Sequence, residues 1–278
     1  MSAPDPTFAV AFGGGGARGL AHIHAIEALD ELGIRPVAIA GSSIGAIMGA
    51  GMAAGMTGRQ IRAYAATMLG SPTEVARRVW GSRPGSIREA VAGGFRFGQF
   101  DIVRILKSFL PDAVPATFEE LKIPLSITGT DYYGHSLMVM EQGDLISAIG
   151  ASAAIPAVFR PVTREDRLLV DGGIHNPVPF DLLTGKAEFV IAIDVVGAPE
   201  EGDKPPSAID LMFGASQLMM QSIIDAKLAI DQPDIFLRPP VSKFRVLDFM
   251  KINQVLAETE ALKDELKRAV AAIAEQRV

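Results

Sequence analysis

The 278-residue sequence predicts an α/β fold with a parallel or mostly parallel sheet buried between helical layers. Three observations carry that prediction. Short, near-continuous apolar runs of strand length recur along the chain, as expected of strands covered on both faces. Segments with helical spacing separate them. With 49% hydrophobic and 21% charged residues, there is enough apolar material to cover both faces of a sheet. One domain over residues 1–278 is expected, because single cores stop growing at roughly 250–300 residues.

The elements follow in order. Thr7–Phe12 is a β-branched and aromatic run that stops at four glycines, and it predicts the first strand. Ala17–Leu32 carries Leu20, Ile23, Ile26 and Leu29 at helical spacing before Gly33. Val37–Ala40 is a second buried strand, ending at Gly41-Ser42-Ser43-Ile44-Gly45, after which small residues continue as a helix to about Gly55. A further helix is expected over Arg59–Leu69. From Ser71 to Thr117 the pattern turns irregular, with prolines at 72, 84, 111 and 115, so a variable cap or insertion is expected around 71–117.

Leu125–Tyr132 and Ser136–Met140 read as strands joined by a turn at Tyr133-Gly134-His135, and Leu168–Val170 as a short strand ending at Asp171-Gly172-Gly173. Phe189–Val196 is another apolar strand, Pro205-Pro206 marks a loop, and Ile209–Ile230 reads as a Met- and Leu-rich helix. Ile235–Leu237 is a last short strand. Phe249–Ile273 has the periodicity of a helix with one buried face. No internal repeat is visible.

Composition narrows the function. A net charge of -6 argues against nucleic acid as the main partner, which needs a clustered basic excess. The absence of cysteine excludes a disulfide framework, a thiolate metal site and a cysteine nucleophile. The first residues lack the basic and apolar regions of a signal peptide, so a cytoplasmic location is expected. Gly41–Gly58 is uncharged but rich in Gly and Ala, and it reads as a buried helix rather than a membrane span. No carboxylate and histidine cluster has metal-ligand spacing and no phosphate-binding G-x-x-x-x-G-K-[ST] occurs, so neither metal nor cofactor is invoked.

Gly41-x-Ser43-x-Gly45 fits a nucleophile elbow, where a strained turn lifts a serine hydroxyl above the sheet and the glycines avoid collision. The helix that follows would turn its positive end towards the reacting centre. The competing reading is a plain helix cap in a Gly-rich turn. The loop Gly13-Gly14-Gly15-Gly16-Ala17-Arg18-Gly19 can expose several backbone N–H groups, as an oxyanion hole requires. It also scans as a dinucleotide-binding G-x-G-x-x-G, but the next strand ends in the serine motif rather than in the acidic residue that binds a ribose. Arg18 would orient the loop, sense a lipid phosphate, or form a surface ion pair.

A serine needs a base. His22 and His24 lie two apart on one helix and cannot share a face. His175, four residues after Asp171, keeps a Ser-His-Asp triad formally open. Asp171 ends an apolar strand before two glycines, a place where a carboxylate can protrude beside a neighbouring loop, although Asp-Gly is also a common turn.

Taken together, Gly13-Gly-Gly-Gly-Ala-Arg-Gly-Leu-Ala-His22, Gly41-Ser-Ser-Ile-Gly45, Ala151-Ser-Ala-Ala-Ile-Pro156 and Asp171-Gly-Gly-Ile-His-Asn-Pro177 resemble the patatin-like phospholipase family, particularly its bacterial members. The resemblance covers most of residues 8–195. It implies a three-layer α/β/α fold and a Ser–Asp dyad without catalytic histidine, with Ser43 as nucleophile and Asp171 as base. It further implies an oxyanion hole from backbone groups around Gly14, Gly15 and Gly16 with Arg18 nearby. Gly41 and Gly45 then form the elbow, and Gly172 and Gly173 complete the Asp-Gly-Gly motif. Where the family usually has Thr before the nucleophile, this chain has Ser42, another small hydroxyl. The region Ser71–Thr117 matches nothing family-wide.

The expected activity is hydrolysis of carboxylic esters of lipids through an acyl-enzyme. The alternatives are an acyltransferase using the same serine and a non-catalytic lipid-binding module. Arg77, Arg78, Arg83, Arg88, Arg96 and Arg104, with Trp80, Phe95, Phe97, Phe100 and Phe109 among them, suggest peripheral contact with an anionic membrane surface, or else core aromatics and a solvated basic face. The helix around Leu218, Met219 and Met220 reads either as core or as a homodimer face.

Overall fold

A computed structural model describes residues 6–71, 73, 75–77, 100–201 and 205–275. Of the arginines and aromatics noted above, Arg78, Arg83, Arg88, Arg96, Trp80, Phe95 and Phe97 lie outside the described residues.

Eight strands form one sheet: β1 (Phe8–Phe12), β2 (Ala38–Ser42), β3 (Leu125–Asp131), β4 (Ser136–Met140), β5 (Val162–Arg164), β6 (Arg167–Val170), β7 (Phe189–Ile193) and β8 (Ile235–Leu237). Their order is β5-β6-β3-β2-β1-β7-β8, with β4 paired to β3. The β1–β2, β1–β7, β2–β3 and β7–β8 pairs are parallel, and the pairs involving β4, β5 and β6 are antiparallel. The sheet is therefore mixed but mostly parallel.

Alternation along β1 generates the three layers, because successive side chains point to opposite faces. Phe8, Val10 and Phe12 enter a core built with α1 (His22–Glu31), α2 (Ile44–Ala53), α3 (Gly58–Leu69), α4 (Ile102–Phe109) and α5 (Leu145–Ser152). Ala9 and Ala11 face a smaller core with Val178, Phe180, Leu183 and Ile224, the last from α6 (Ala208–Leu228). The helices α7 (Ile252–Glu258) and α8 (Ala261–Glu275) join the larger core through Val255 and Leu266. Helices thus cover both faces of the sheet, which is a three-layer α/β/α arrangement.

Four local expectations need correction. The first helix is divided: Gly16–Ala21 is a 3-10 turn and the α-helix begins at His22. Gly16 has φ +60, and a Cβ on Gly19 would lie 2.2 Å from Ile44 Cγ2, so this stretch follows the shape of its neighbours rather than its periodicity. The C-terminal helix is a 3-10 turn and two α-helices, broken where buried Thr259 turns its hydroxyl back onto Val255 O. The irregular region contains α4, capped at its N-terminus by Asp101. The strand beginning at Phe189 ends at Ile193 rather than Val196.

The end of the sheet that carries the site follows from how β3 is paired. β4 occupies one edge of β3 along Ile127–Asp131. The other edge receives β2 along Leu125–Thr128 and, beyond it, the antiparallel β6 at Thr130 and Asp131. The C-terminal ends of β2 and β6 therefore point at each other, and these are the ends that carry Ser43 and Asp171.

Candidate active site

Ser43 follows β2 directly and caps α2 with φ 53 and ψ -120, a left-handed conformation that costs a non-glycine residue of the order of 1–3 kcal/mol. The turn is possible because its flanking residues have no side chain. A Cβ on Gly41 would lie 2.6 Å from Gly45 O, and one on Gly45 would lie 2.0 Å from Phe12 O. The Ser43 N–H donates to Ser152 Oγ at 2.8 Å, and Ser43 Oγ donates to Asp171 Oδ2 at 2.8 Å.

Asp171 is buried, and its second oxygen accepts the Gly173 N–H at 2.8 Å. Burial pushes its pKa up to about 6; the hydrogen bonds from Ser43 and Gly173 pull the other way and only partly offset this. Its backbone is held too, with Asp171 N–H donating to Ala154 O and Thr130 Oγ1 donating to Asp171 O. The segment Ser152–Ala154 thus braces both Ser43 and Asp171.

None of the four histidines hydrogen-bonds to either residue. His22 Nε2 lies 2.9 Å from Gly13 O, and burial lowers its pKa to about 4, so it is neutral and donates to the glycine loop. His24 Nε2 bonds to Leu256 O. His135 and His175 are exposed. Among the described residues, no group of three His, Asp or Glu side chains is placed to hold a metal ion.

The glycine loop is pinned beside Ser43. Gly13 N–H donates to Ile193 O, Gly14 N–H to Pro177 O, and Ala17 N–H to Val246 O. Gly14 is therefore engaged with the loop that follows Asp171, which leaves Gly15 and Gly16 as the candidate donors. Arg18 is almost completely buried and donates from Nε to Gly15 O at 3.0 Å. Desolvation lowers its pKa to about 10, with Asp194 opposing the shift. Burial removes the surface ion-pair reading; the Nε bond braces the loop, and Arg18 also lines a cavity beside Ser43.

Two cavities meet at Ser43. The larger, about 390 Å³, is lined almost entirely by apolar groups, including Ile47, Met48, Ile61, Leu106, Phe109 and Phe159, with Ser43 and Tyr64 as the polar side chains among the described residues. The smaller, about 170 Å³, includes Arg18, Asp171, Ile174, Gln217 and Met220. A buried serine hydroxyl hydrogen-bonded to a carboxylate, next to an apolar cavity, has the chemistry of a potential nucleophile with a proton acceptor in reach.

The sequence profile for patatin-like phospholipase matches residues 10–184. The chain belongs to the patatin-like phospholipase family. Among curated relatives, an uncharacterized NTE family protein of Mycobacterium tuberculosis is 36% identical over 195 residues, 70% of this chain and 50% of that protein. Patatin-like phospholipase domain-containing protein 6 of Homo sapiens is 28% identical over 284 residues, 90% of this chain and 19% of that protein. The chain thus spans half or less of the length of these relatives. Among solved structures, full-length ExoU of Pseudomonas aeruginosa, in complex with SpcU, aligns with 98% of this chain and 53% of its own at 16% identity and a TM-score of 0.48.

Within this patatin-like chain, Ser43, Asp171, the Gly14–Gly16 loop, Arg18, Gly41, Gly45, Gly172 and Gly173 gather at one end of the sheet. Gly172 is crowded by β3, where a Cβ would lie 2.3 Å from Thr128 O. Ser152 is the site residue that motif reading passed over. Ala151–Pro156 is one of the segments that carry the resemblance, but nothing in the sequence says that the Ser152 hydroxyl accepts the Ser43 N–H. Phe100 and Phe109 line the larger cavity. On α6, Leu218 and Met219 are exposed while Met220 lines the smaller cavity. No helix among the described residues is long and apolar enough to cross a membrane.

Proposed function

We propose that the chain is a serine acyl hydrolase that cleaves carboxylic esters of lipids, with Ser43 as nucleophile and Asp171 as base. The observation that carries this reading is the 2.8 Å hydrogen bond from Ser43 Oγ to the buried Asp171 carboxylate. Asp171 takes the Ser43 proton as Oγ attacks the ester carbonyl carbon. The carbonyl oxygen gains the negative charge, and the N–H groups of Gly15 and Gly16, with the positive end of α2, stabilise it. Collapse expels the alcohol, which takes the proton from Asp171, and leaves an acyl group on Ser43. A water then gives its proton to Asp171 and attacks the acyl carbon, and Ser43 departs with that proton.

The raised pKa of Asp171 supports the role of base. A carboxylate near 6 accepts a proton at neutral pH more readily than an ordinary one near 4. The larger cavity supports a lipid substrate, since it matches one apolar chain and offers no charged side chain among the described residues. In this reading the chain is a single domain, and α4, from the described part of the 71–117 segment, contributes Ile102, Ile105, Leu106 and Phe109 to the cavity wall.

Hydrolysis of p-nitrophenyl esters and of a phospholipid by native protein, folded Ser43→Ala and folded Asp171→Asn tests the proposal. Both variants are expected to lose at least about a thousandfold in kcat/KM. Native-like turnover by either variant would remove the assignment.

A further inference from the structure

α2 leaves the Ser43 turn alongside the larger cavity and shows it one face. Ile44, Ile47, Met48 and Gly51, at positions i, i+3, i+4 and i+7, all line it. At about 1.5 Å of rise per residue, Gly51 stands about 12 Å from Ser43 along the helix axis.

Glycine is unfavourable inside a helix, so each of the three in α2 calls for a reason. Gly45 is required because a Cβ would lie 2.0 Å from Phe12 O. Gly49 packs on the sheet, where a Cβ would come within 3.1 Å of Ile39 Cγ2 and 3.3 Å of Leu125 Cδ1. At Gly51 the three atoms nearest to an added Cβ all belong to cavity-wall side chains. They are Ile61 Cδ1 and Cγ1, at 3.3 and 3.6 Å, so that Ile61 would have to give slightly, and Met56 Sδ at 3.9 Å. A side chain at Gly51 would thus press on Ile61 and Met56, two walls of the cavity.

The geometry points to Gly51 as the residue that sets the acyl-chain length the site accepts, an inference that rests on the reading of Ser43 as the attacking group. A linear chain esterified at Ser43 and lying along α2 reaches Gly51 after about ten carbons, at about 1.2 Å per bond, a third of the roughly 3.6 Å spanned by an extended residue. Chains up to that length gain binding with every methylene, about fourfold each. A larger side chain at Gly51 pushes Ile61 into the cavity or projects into it itself, and either shortens the usable length.

Two readouts test this, one of which needs no turnover. In a Ser43→Ala background, saturated fatty acids from hexanoate to palmitate are titrated against a bound fluorescent fatty acid. Affinity is expected to rise to about ten carbons and then level off, with the plateau reached about three carbons earlier in Gly51→Leu and shifted by no more than about one in Gly51→Ala. With Ser43 intact, the ratio of kcat/KM for dodecanoate over butyrate ester is expected to fall at least about tenfold in Gly51→Leu. Ile61→Ala opens the same end of the cavity and moves the plateau to longer chains, so the inference is tested even if Gly51→Leu does not fold. A plateau that stays in place in both Gly51→Leu and Ile61→Ala would overturn it. An inert native protein with the expected plateau would remove hydrolysis and keep the length limit, whereas an active protein with an unshifted profile would remove the length limit alone.

Discussion

Ser43 and Asp171 are 128 residues apart in sequence and share a 2.8 Å hydrogen bond because β2 and β6 end against each other on one edge of β3. Thr130 of β3 secures that meeting point by donating its hydroxyl to Asp171 O at 2.9 Å. Thr130→Val keeps the shape and leaves a buried carbonyl with one partner fewer. It is expected to cost about 1–2 kcal/mol of stability in denaturant titration and to lower kcat about tenfold with little change in KM.

Asp171 carries an opposite signature. Its pKa is raised to about 6 in the folded protein from an ordinary 3.8, so folding favours its protonated form. The stability this contributes is fully present below pH about 4 and is lost as pH rises through 6. At pH 7 the charged, buried carboxylate costs the fold on the order of 3 kcal/mol. Asp171→Asn is therefore expected to raise Tm at pH 7 while abolishing activity, and the native enzyme is expected to lose activity as pH falls below about 6. His22 acts in the other direction: its pKa of about 4 makes the fold lose stability as pH falls below about 6.5. Stability of Asp171→Asn measured from pH 7 to 4 should thus fall more steeply with acid than that of the native protein.

The strained turn depends on Ser152. In Ser152→Ala the buried Ser43 N–H loses its acceptor, at a cost of about 1–3 kcal/mol. The left-handed conformation of Ser43 loses one of the contacts that hold it, so kcat is expected to fall about ten- to a hundredfold. Ser152→Thr retains a hydroxyl and should recover part of the loss. Steady-state kinetics alongside thermal melts would separate the kcat effect from unfolding.

Neighbouring glycines of the loop should respond differently. A Cβ on Gly15 would lie 2.2 Å from Val195 O, so Gly15→Ala must move backbone and is expected to destabilise the fold and cut activity together. A Cβ on Gly14 finds ordinary contacts at 3.4 Å from Ser43 Cβ and 3.5 Å from Ser42 O. Gly14→Ala is expected to melt within a few degrees of native yet lose about tenfold in kcat/KM, because its methyl group takes up space beside Ser43 that a substrate carbonyl would need.

Much of this was legible where the signal is local. The strand-to-helix turn at Gly41–Gly45 combines an apolar run, two glycines and a small-residue helix within a dozen positions, and the structure reproduces it. The pairing of Ser43 with Asp171 was implied by family resemblance rather than by any pattern, because it depends on how β2 and β6 share β3. The hydroxyl contact of Ser152 was unreadable for the same reason. Helix α4 was hidden by Pro111 and Pro115 just beyond its end, which made the region look irregular. The break at Thr259 was masked by apolar spacing that continues across it. Arg18 has the appearance of a surface residue in sequence, and only the packing of the glycine loop shows it buried.

In the proposed reaction Ser43, activated by Asp171, attacks an acyl ester. The most direct measurement is the rate and position of labelling by a fluorophosphonate, mapped by peptide mass spectrometry between pH 5 and 8. A single adduct on Ser43 is expected, with a rate that falls through an inflection near pH 6 and labelling at least about a hundredfold slower in Asp171→Asn, with no inflection. An adduct on another residue, or equal rates in native protein and Asp171→Asn, would contradict it.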